Sequence, residues 1–444
     1  MGLQSSLSAL AWNIDAASRG LRRYWRDLER FQALRPPEAR RELAARLLAQ
    51  LKHFGSRGDA LPEWREAASI RHPDEVWALW SALPILTKQD LRERFQPAEM
   101  MRRFGLRGRC GRTGGSTGEP TPYLHDAGMV GATSAASRYC RMKMGWHPGL
   151  ATICVWGSER DIGKSMSARG RWQLWLRNEH LVDGYCLDWS TVERILELVR
   201  RHRPVALYGF TSMLEFAARE LVSRGSLPPP HSVRVAWNGG EMLSPQQSAL
   251  FKQAFGVPVL NLYGGRELSA MAYQPGEGAS LVVLRPLLFL EIVDEQGKPV
   301  APGEVGRLVW TSTVCRGSPF LRYDIGDAGA YAAAEADESG IRALKELHGR
   351  YAGLLRLPDG RVISNLYWNH LFKEFPEVRQ FQVALLSGGR IELRLAGCGF
   401  TPARELQLRR CLQPVTSGVE VRVEWMERIP LTPQGKLIQV VREE

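Results

Sequence analysis

Lysine is scarce in this chain: nine lysines stand against fifty arginines, and after Lys373 only Lys436 remains. Seven cysteines (110, 140, 154, 186, 315, 398 and 411) are scattered, odd in number and free of any C-x-x-C pair. That spacing argues against a disulfide framework and against a structural zinc site. The nine histidines show neither H-E-x-x-H nor H-x-x-x-H spacing, so no protein-ligated transition metal is expected. No stretch reaches the ~18 to 20 consecutive apolar residues of a membrane span, and MGLQSSLSALAWNIDAASRG lacks the apolar core of a signal peptide. A reducing cytoplasmic setting is the expectation. Acids are also in deficit, 47 against 59 basic residues, a net charge of +12. Such a balance attracts nucleic acids, anionic membranes or polyanionic substrates.

What is present is an ordinary globular composition, 44% hydrophobic and 24% charged, which excludes a mainly disordered chain. At ~150 residues per domain, 444 residues predict two or three domains. Leu3, Leu7, Leu10, Ile14, Ala17, Leu21, Tyr24 and Leu28 recur every three or four positions, which predicts one amphipathic helix over the first thirty residues. Its other face is basic (Arg19, Arg22, Arg23, Arg26, Arg30). Packing on the protein's own body is the simpler expectation, and binding to a membrane surface or partner the alternative. Pro36 and Pro37 end this helix, and a second runs over roughly 38–53.

From about 100 to 345, strand signals at 205–209, 233–240, 257–265 and 288–300 alternate with helical ones at 191–202, 211–224 and 244–255. This alternation predicts an α/β fold with a mainly parallel sheet. After Gly349 a smaller α+β pattern follows: strands at 353–363, 380–386, 390–395 and 419–426, helices at 365–374 and 402–412. The expected division is a helical segment over 1–60 packed on the body, a large domain over 61–349 and a small one over 350–444.

The sharpest motif is RTGGSTGEPTPYLHD at 112–126. Thr113, Gly114, Gly115, Ser116, Thr117 and Gly118 crowd hydroxyls and glycines together, so that backbone N–H groups can converge on an anion. The run matches neither the Walker pattern nor G-x-G-x-x-G. WNGGEML (237–243), NLYGGREL (261–268), FLRYDIGD (320–327) and PLTPQGKL (430–437) follow in order, and LPILTKQDLRERF (83–95) precedes them.

This ordered set, over about residues 75–441, resembles the adenylate-forming superfamily of acyl- and aryl-CoA ligases, peptide-synthetase adenylation domains and luciferases. The closer match is its phenylacetate-CoA ligase and CapK-like (coenzyme F390 synthetase-like) branch. The resemblance implies a large adenylate-forming, AMP-binding domain with a small C-terminal lid, and ATP, Mg²⁺ and coenzyme A as reactants or cofactors. It further implies that Thr113–Gly118 hold the ATP β- and γ-phosphates, and that Gly239, Gly240 and Glu241 border adenine with Tyr263 and Gly264. Glu267 would bind Mg²⁺, Asp327 the ribose hydroxyls, Arg350 the ribose or phosphate, and Lys436 would bridge substrate carboxylate and α-phosphate. A carboxylate attacking a phosphate brings two anions together, so the step calls for a fixed cation. A lone lysine among arginines fits that need. Tyr208, Phe210, Thr211, Trp237 and Asn238 are the candidate acid pocket, favouring a flat or aromatic acid.

Departures from the pattern are also visible. Glu119 stands where many relatives place lysine, and Arg266 replaces a threonine before the magnesium glutamate and could return the lost positive charge to the α-phosphate. Tyr351-Ala352-Gly353 replaces an acidic hinge, with Gly353 as a flexible point. The implied activity is therefore activation of a carboxylic acid to its acyl adenylate with pyrophosphate release, then transfer to a thiol of coenzyme A or a carrier protein. An amine or hydroxyl acceptor, a catalytically weakened nucleotide-binding scaffold, and a nucleic-acid- or membrane-binding protein resting on charge alone are the competing readings. No nucleic-acid partner and no transmembrane segment is expected, and a homodimer is compatible with the sequence.

Overall fold

The computed structural model describes residues 3–442 apart from 19, 114–119, 157–166, 185–186, 351–354, 358–361, 364–366, 369–370, 373, 388, 399 and 430–438. The chain forms two compact units. The first holds residues 1–304, 309–325 and 330–346, and the second 305–308, 326–329 and 347–444.

The N-terminal helix expected over thirty residues is two helices, α1 (Leu3–Ser18) and α2 (Leu21–Gln32), followed by α3 (Pro36–Gly55). Gly20 precedes α2 at φ 64°, a left-handed conformation that glycine adopts without steric cost and that ends helical propagation. The break re-aims the apolar row. Leu21, Tyr24 and Leu28 are buried, with the Tyr24 hydroxyl donating to the carbonyl of Gly128 at 2.9 Å, whereas Leu7, Leu10 and Ile14 are exposed. The expectation of one helix is corrected to two, and α1 packs on the body through Ser8 and Trp12 rather than through its Leu7, Leu10 and Ile14 face.

An antiparallel hairpin, β1 (Gly108–Arg112) and β2 (Pro122–Asp126), flanks the Gly/Ser-rich run and leads into α4 (Ala127–Lys143). The central sheet then builds by crossovers: β3 (Ala151–Trp156), α5 (Ala168–Arg177), β4 (Glu179–Asp183), α6 (Trp189–His202), β5 (Val205–Gly209), α7 (Thr211–Ser223), β6 (Val233–Gly239), α8 (Pro245–Phe255) and β7 (Val259–Gly265). Helix starts follow from local chemistry. Asp188 caps α6 by accepting from Thr191 N, and Ser244 with Gln247 forms a capping box before Pro245 in α8. Two antiparallel strands, β8 (Ser269–Tyr273) and β9 (Leu281–Val283), and the short Ala343–Leu344 extend the sheet. Its order is Ala343–Leu344, β9, β8, β7, β6, β5, β3, β4, with β4, β3, β5, β6 and β7 mutually parallel. Ile153, Val155, Val205, Leu207 and Ala236 pack against Ile195, Val199, Leu214, Leu221 and Phe251 of the crossover helices. The mixed α/β class with a mainly parallel sheet is as the alternation predicted.

The second unit has its own core around Trp368, Phe375, Phe381, Val383, Leu393 and Leu408. Its four-stranded sheet runs Val421–Met426, Ile391–Gly397, Val378–Leu385, Val440–Arg442, with a helix over Pro402–Thr416. Within the expected strand 353–363, Leu355–Arg356 pairs with Val362–Ile363 as a small hairpin.

Candidate active site

In open parallel sheets, ligands bind beyond the carboxyl ends of the strands. Most of the sequence motifs of the first unit fall there. β3 ends at Trp156, β5 at Gly209 before Phe210, β6 at Gly239 before Gly240 and Glu241, and β7 at Gly265 before Arg266 and Glu267.

The candidate acid pocket is an aromatic stack. Phe210 lies 4.0 Å from Trp156, Trp156 5.2 Å from Tyr208, and Tyr208 5.6 Å from Trp237, all near parallel, with the Arg141 guanidinium 5.9 Å from the Tyr208 ring. Tyr208 and Phe210 are half-buried, whereas Trp237 is fully buried. Gly240 sits at φ 76°, and a Cβ there would meet the Phe210 ring at 2.7 Å, so backbone and ring are in direct contact. Glu241 is held at the start of α7, accepting from Ser212 N at 2.6 Å and Ser212 Oγ at 3.0 Å. Asn238 is buried, and its amide donates to Thr211 Oγ1 at 2.9 Å, to the Glu241 carbonyl and to Asn261 Oδ1. Asn238 and Thr211 thus form the scaffold under the pocket.

Glu267 occupies the β7–β8 turn and is 5% exposed. Among the described residues its carboxylate accepts one hydrogen bond, from the Tyr323 hydroxyl at 3.4 Å. A Cβ on Gly265 would come within 3.2 Å of Oε2, so glycine keeps that side of the carboxylate open. A buried carboxylate with so little compensation calls for a cation, and the donor chemistry fits a hard divalent ion such as Mg²⁺. The turn is pinned from beneath: His125 Nε2 lies 2.6 Å from the Glu267 carbonyl oxygen and, donating, fixes the imidazole tautomer. Burial holds the His125 pKa below its ordinary value, favouring the neutral ring. Arg109 pairs with His125 across the hairpin, so both side chains leave on the same face. Arg109 and Arg266 are exposed, and both act electrostatically on Tyr123, whose pKa is raised by burial and by Glu267.

The hairpin also frames the phosphate-loop motif. Thr113 N donates to the Thr121 carbonyl at 3.0 Å, Thr121 N donates to Thr113 Oγ1 at 3.0 Å, and Arg92 holds the Thr121 hydroxyl at 3.0 Å. Gly114, Gly115, Ser116, Thr117, Gly118 and Glu119 lie outside the described residues, as do Lys436 and the Tyr351-Ala352-Gly353 segment. Tyr263 is buried and tilted against Trp310, and Gly264 lies beside it at a register shift in the β7–β8 pair. Asp327 is half-buried on the strand Tyr323–Ala330 and is grouped with the second unit, as is Arg350 at the end of the strand Glu346–Arg350.

Sequence reasoning passed over His125, Arg109, Tyr323 and Arg322. The Arg322 guanidinium is buried, pairs with Glu291 at 3.0 Å and donates to the Ser81 carbonyl at 2.9 Å and to that of Leu83. Leu86 N and O bond Arg322 O and Asp324 N at 2.9 and 2.8 Å, so LPILTKQD is stitched to the start of the strand that leads to Asp327. His125 and Arg322 stood inside quoted motifs, but their partners are 142 and 31 residues away, which no local pattern reveals.

Residues 180–317 match the family model described as AMP-binding enzyme. A phenylacetate-coenzyme A ligase of Thermus thermophilus is 31% identical over 144 residues, 30% of this chain and 31% of that protein. The chain therefore matches about a third of the length of that curated relative. A 2-hydroxyisobutyryl-CoA ligase in the postadenylation state with R3-HIB-AMP has the same fold, at TM-score 0.61 and 17% identity over 91% of this chain and 90% of that one. Its open form with 2-HIB-AMP and CoA gives TM-score 0.60 and 17% identity over 92% of both chains. Residues 180–317 thus carry an AMP-binding enzyme segment, and the fold is the one seen in the 2-hydroxyisobutyryl-CoA ligase structures. A phenylacetate-CoA ligase is among the chain's sequence relatives.

Proposed function

We propose that the chain is an AMP-forming acid–thiol ligase that activates a small carboxylic acid, preferably an aryl acid, and passes the acyl group to coenzyme A. The observation that carries this is the undercompensated buried carboxylate of Glu267, set at the strand ends with a half-buried aromatic stack and an AMP-binding segment. In the first step a substrate carboxylate oxygen attacks the α-phosphorus, the bond to the bridging oxygen breaks, and its electron pair leaves with pyrophosphate. Bound Mg²⁺ would supply charge neutralisation on the phosphates, with Glu267 as its ligand.

The chain's own residues do the rest. Thr113 to Gly118 hold the β- and γ-phosphates, while Arg109 and Arg266 draw in the polyanion and Arg266 offsets the charge that Glu119 removes. Gly239, Gly240, Glu241, Tyr263 and Gly264 border the adenine. Asp327 and Arg350 hold the ribose, and Lys436 neutralises the approach of carboxylate to phosphate. Tyr208 and Phe210 receive the acid, with the buried Trp237, Thr211 and Asn238 as their support. In the second step the thiol sulfur attacks the acyl carbonyl carbon, AMP leaves with the C–O electron pair, and the thiol proton passes to solvent. Residues 61–349 would carry adenylation, with 350–444 as a separate C-terminal domain.

The test is a panel of aryl and short-chain acids with ATP, scored for pyrophosphate release, followed by coenzyme A and a phosphopantetheinylated carrier protein as acceptors. Aryl-acid-dependent release and AMP discharge with coenzyme A are expected. ATP binding without any acid-dependent release would instead support a scaffold role.

A further inference from the structure

The groups that this chemistry leaves unused are concentrated at the N-terminus. Leu7, Leu10 and Ile14 lie at i, i+3 and i+7 on α1 and are 38%, 56% and 60% exposed. Trp12, on the opposite side, is buried 5.1 Å from Trp146. α5 packs beside α1, with Gln4 Nε2 donating to the Trp175 carbonyl at 3.3 Å and Trp12 Nε1 to that of Arg177 at 3.4 Å. It presents two further apolar groups to solvent, Trp172 at 59% and Trp175 at 49% exposure. Asn13, the i+3 neighbour of Leu10, lines a cavity of about 320 Å³ between α1, α2 and α4, with Trp12, Trp25 and Met142 in its walls and exposed Arg22 and Arg26 at its edge. Five large apolar side chains are exposed on two adjoining helices, and grouped exposure marks interaction surfaces where single exposed residues do not.

Charge decides what covers it. The acids of α1 and α2 are all in ion pairs: Asp15 with Arg138, Asp27 with Arg30 and Arg46, and Glu29 with Lys143. α5 contains no acid and carries Arg169, Arg171 and Arg177. Arg22, Arg23 and Arg26 are exposed on α2. A second copy of this face would oppose like charges, whereas an anionic surface complements them. Tryptophan and arginine beside an aliphatic row is the composition of a helix lying in a headgroup layer.

We propose that α1, α2 and α5 form a peripheral docking surface for an anionic lipid bilayer. Leu7, Leu10, Ile14, Trp172 and Trp175 enter the headgroup boundary, and Arg22, Arg23 and Arg26 meet the lipid phosphates. Stable attachment of this kind takes both signals, apolar and basic.

The test is co-sedimentation of the full chain with vesicles of phosphatidylcholine alone and with phosphatidylglycerol added at about one third, the anionic fraction supplying the surface potential. Binding to the anionic vesicles is expected, weakening as salt rises, with little binding to the neutral ones. The double variants Leu10→Ser/Ile14→Ser and Arg22→Gln/Arg26→Gln should each lose about tenfold in binding, as removal of either signal requires. Circular dichroism and acid-dependent pyrophosphate exchange should remain unchanged in both. Equal sedimentation of parent and variants, or no binding to anionic vesicles, overturns the proposal. So does self-association that depends on Leu10 and Ile14, which would make a second copy the occupant.

Discussion

Glu267 is nearly as buried as the hydrophobic core around it, yet among the described residues it meets a single hydroxyl at 3.4 Å. Ionised carboxylates in such places are held by a counter-charge, so its substitution should act on nucleotide chemistry more than on folding. Glu267→Gln is expected to lower acid-dependent pyrophosphate exchange by at least about a hundredfold, the scale of losing one fixed electrostatic contact to a phosphoryl transition state. Exchange near the parent rate would remove Glu267 from the metal role. His125 acts through the backbone of that turn. His125→Phe should slow exchange and raise the Mg²⁺ requirement, while His125→Gln, which keeps a donor, should restore part of both; equal losses in the two would mean that His125 only fills space. The type of Glu267 was legible in NLYGGREL, but its dependence on His125 and Tyr323 was not, because both contacts join segments more than fifty residues apart.

Elements with strong local signals were read correctly from the sequence. VALYG is the strand Val205–Gly209 without change, and α6, α7 and α8 begin within two residues of the expected positions because capping and periodicity agree there. The failures have physical causes. A heptad-like row passes over Gly20, since periodicity carries no record of one left-handed residue. The antiparallel strands β8 and β9 lie in SAMAYQPGEGASLVV, where a turn signal and short apolar runs give no helical or long-strand pattern. The LPILTKQD segment is fixed by the buried Arg322–Glu291 pair, in which burial pushes the Glu291 pKa up against the pull of Arg322 and Trp80. Arg322→Met should destabilise the first unit by about 3–5 kcal/mol, the cost of stranding a buried charge, and adding Glu291→Met should recover much of it. Urea unfolding followed by tryptophan fluorescence measures both; an unchanged midpoint for Arg322→Met would show the pair to be dispensable.

At the edge strand β4, burial holds the His180 pKa near 4, with the ring of His202 4.2 Å away lowering it further. As pH falls below ~6.5 the unfolded chain takes up a proton that folded His180 refuses, so stability declines from about pH 6.5 to about 4 and then levels. Replacing His180 with Gln should flatten that part of the thermal-stability profile; an equally steep profile would assign the slope to other groups.

For the whole molecule, the two proposals give the +12 charge two tasks. Arg109 and Arg266 stand at the proposed nucleotide site, and further arginines lie on α2 and α5, the helices beside the exposed apolar row of α1. The sequence motifs located Arg266 but not Arg109, and left the basic α2 arginines with surface binding only as an alternative, because exposure of Leu7, Leu10 and Ile14 is a property of the folded N-terminus. Polyanion attraction at a cleft and at a surface responds to salt in the same direction, so chemistry must separate them. Isotope exchange between pyrophosphate and ATP, run with and without acid and compared with Lys436→Ala, tests the adenylation account most directly. The account predicts exchange that requires the acid and falls to background in the folded Lys436→Ala protein. Absence of acid-dependent exchange in the parent, or an equal rate in the variant, would contradict it.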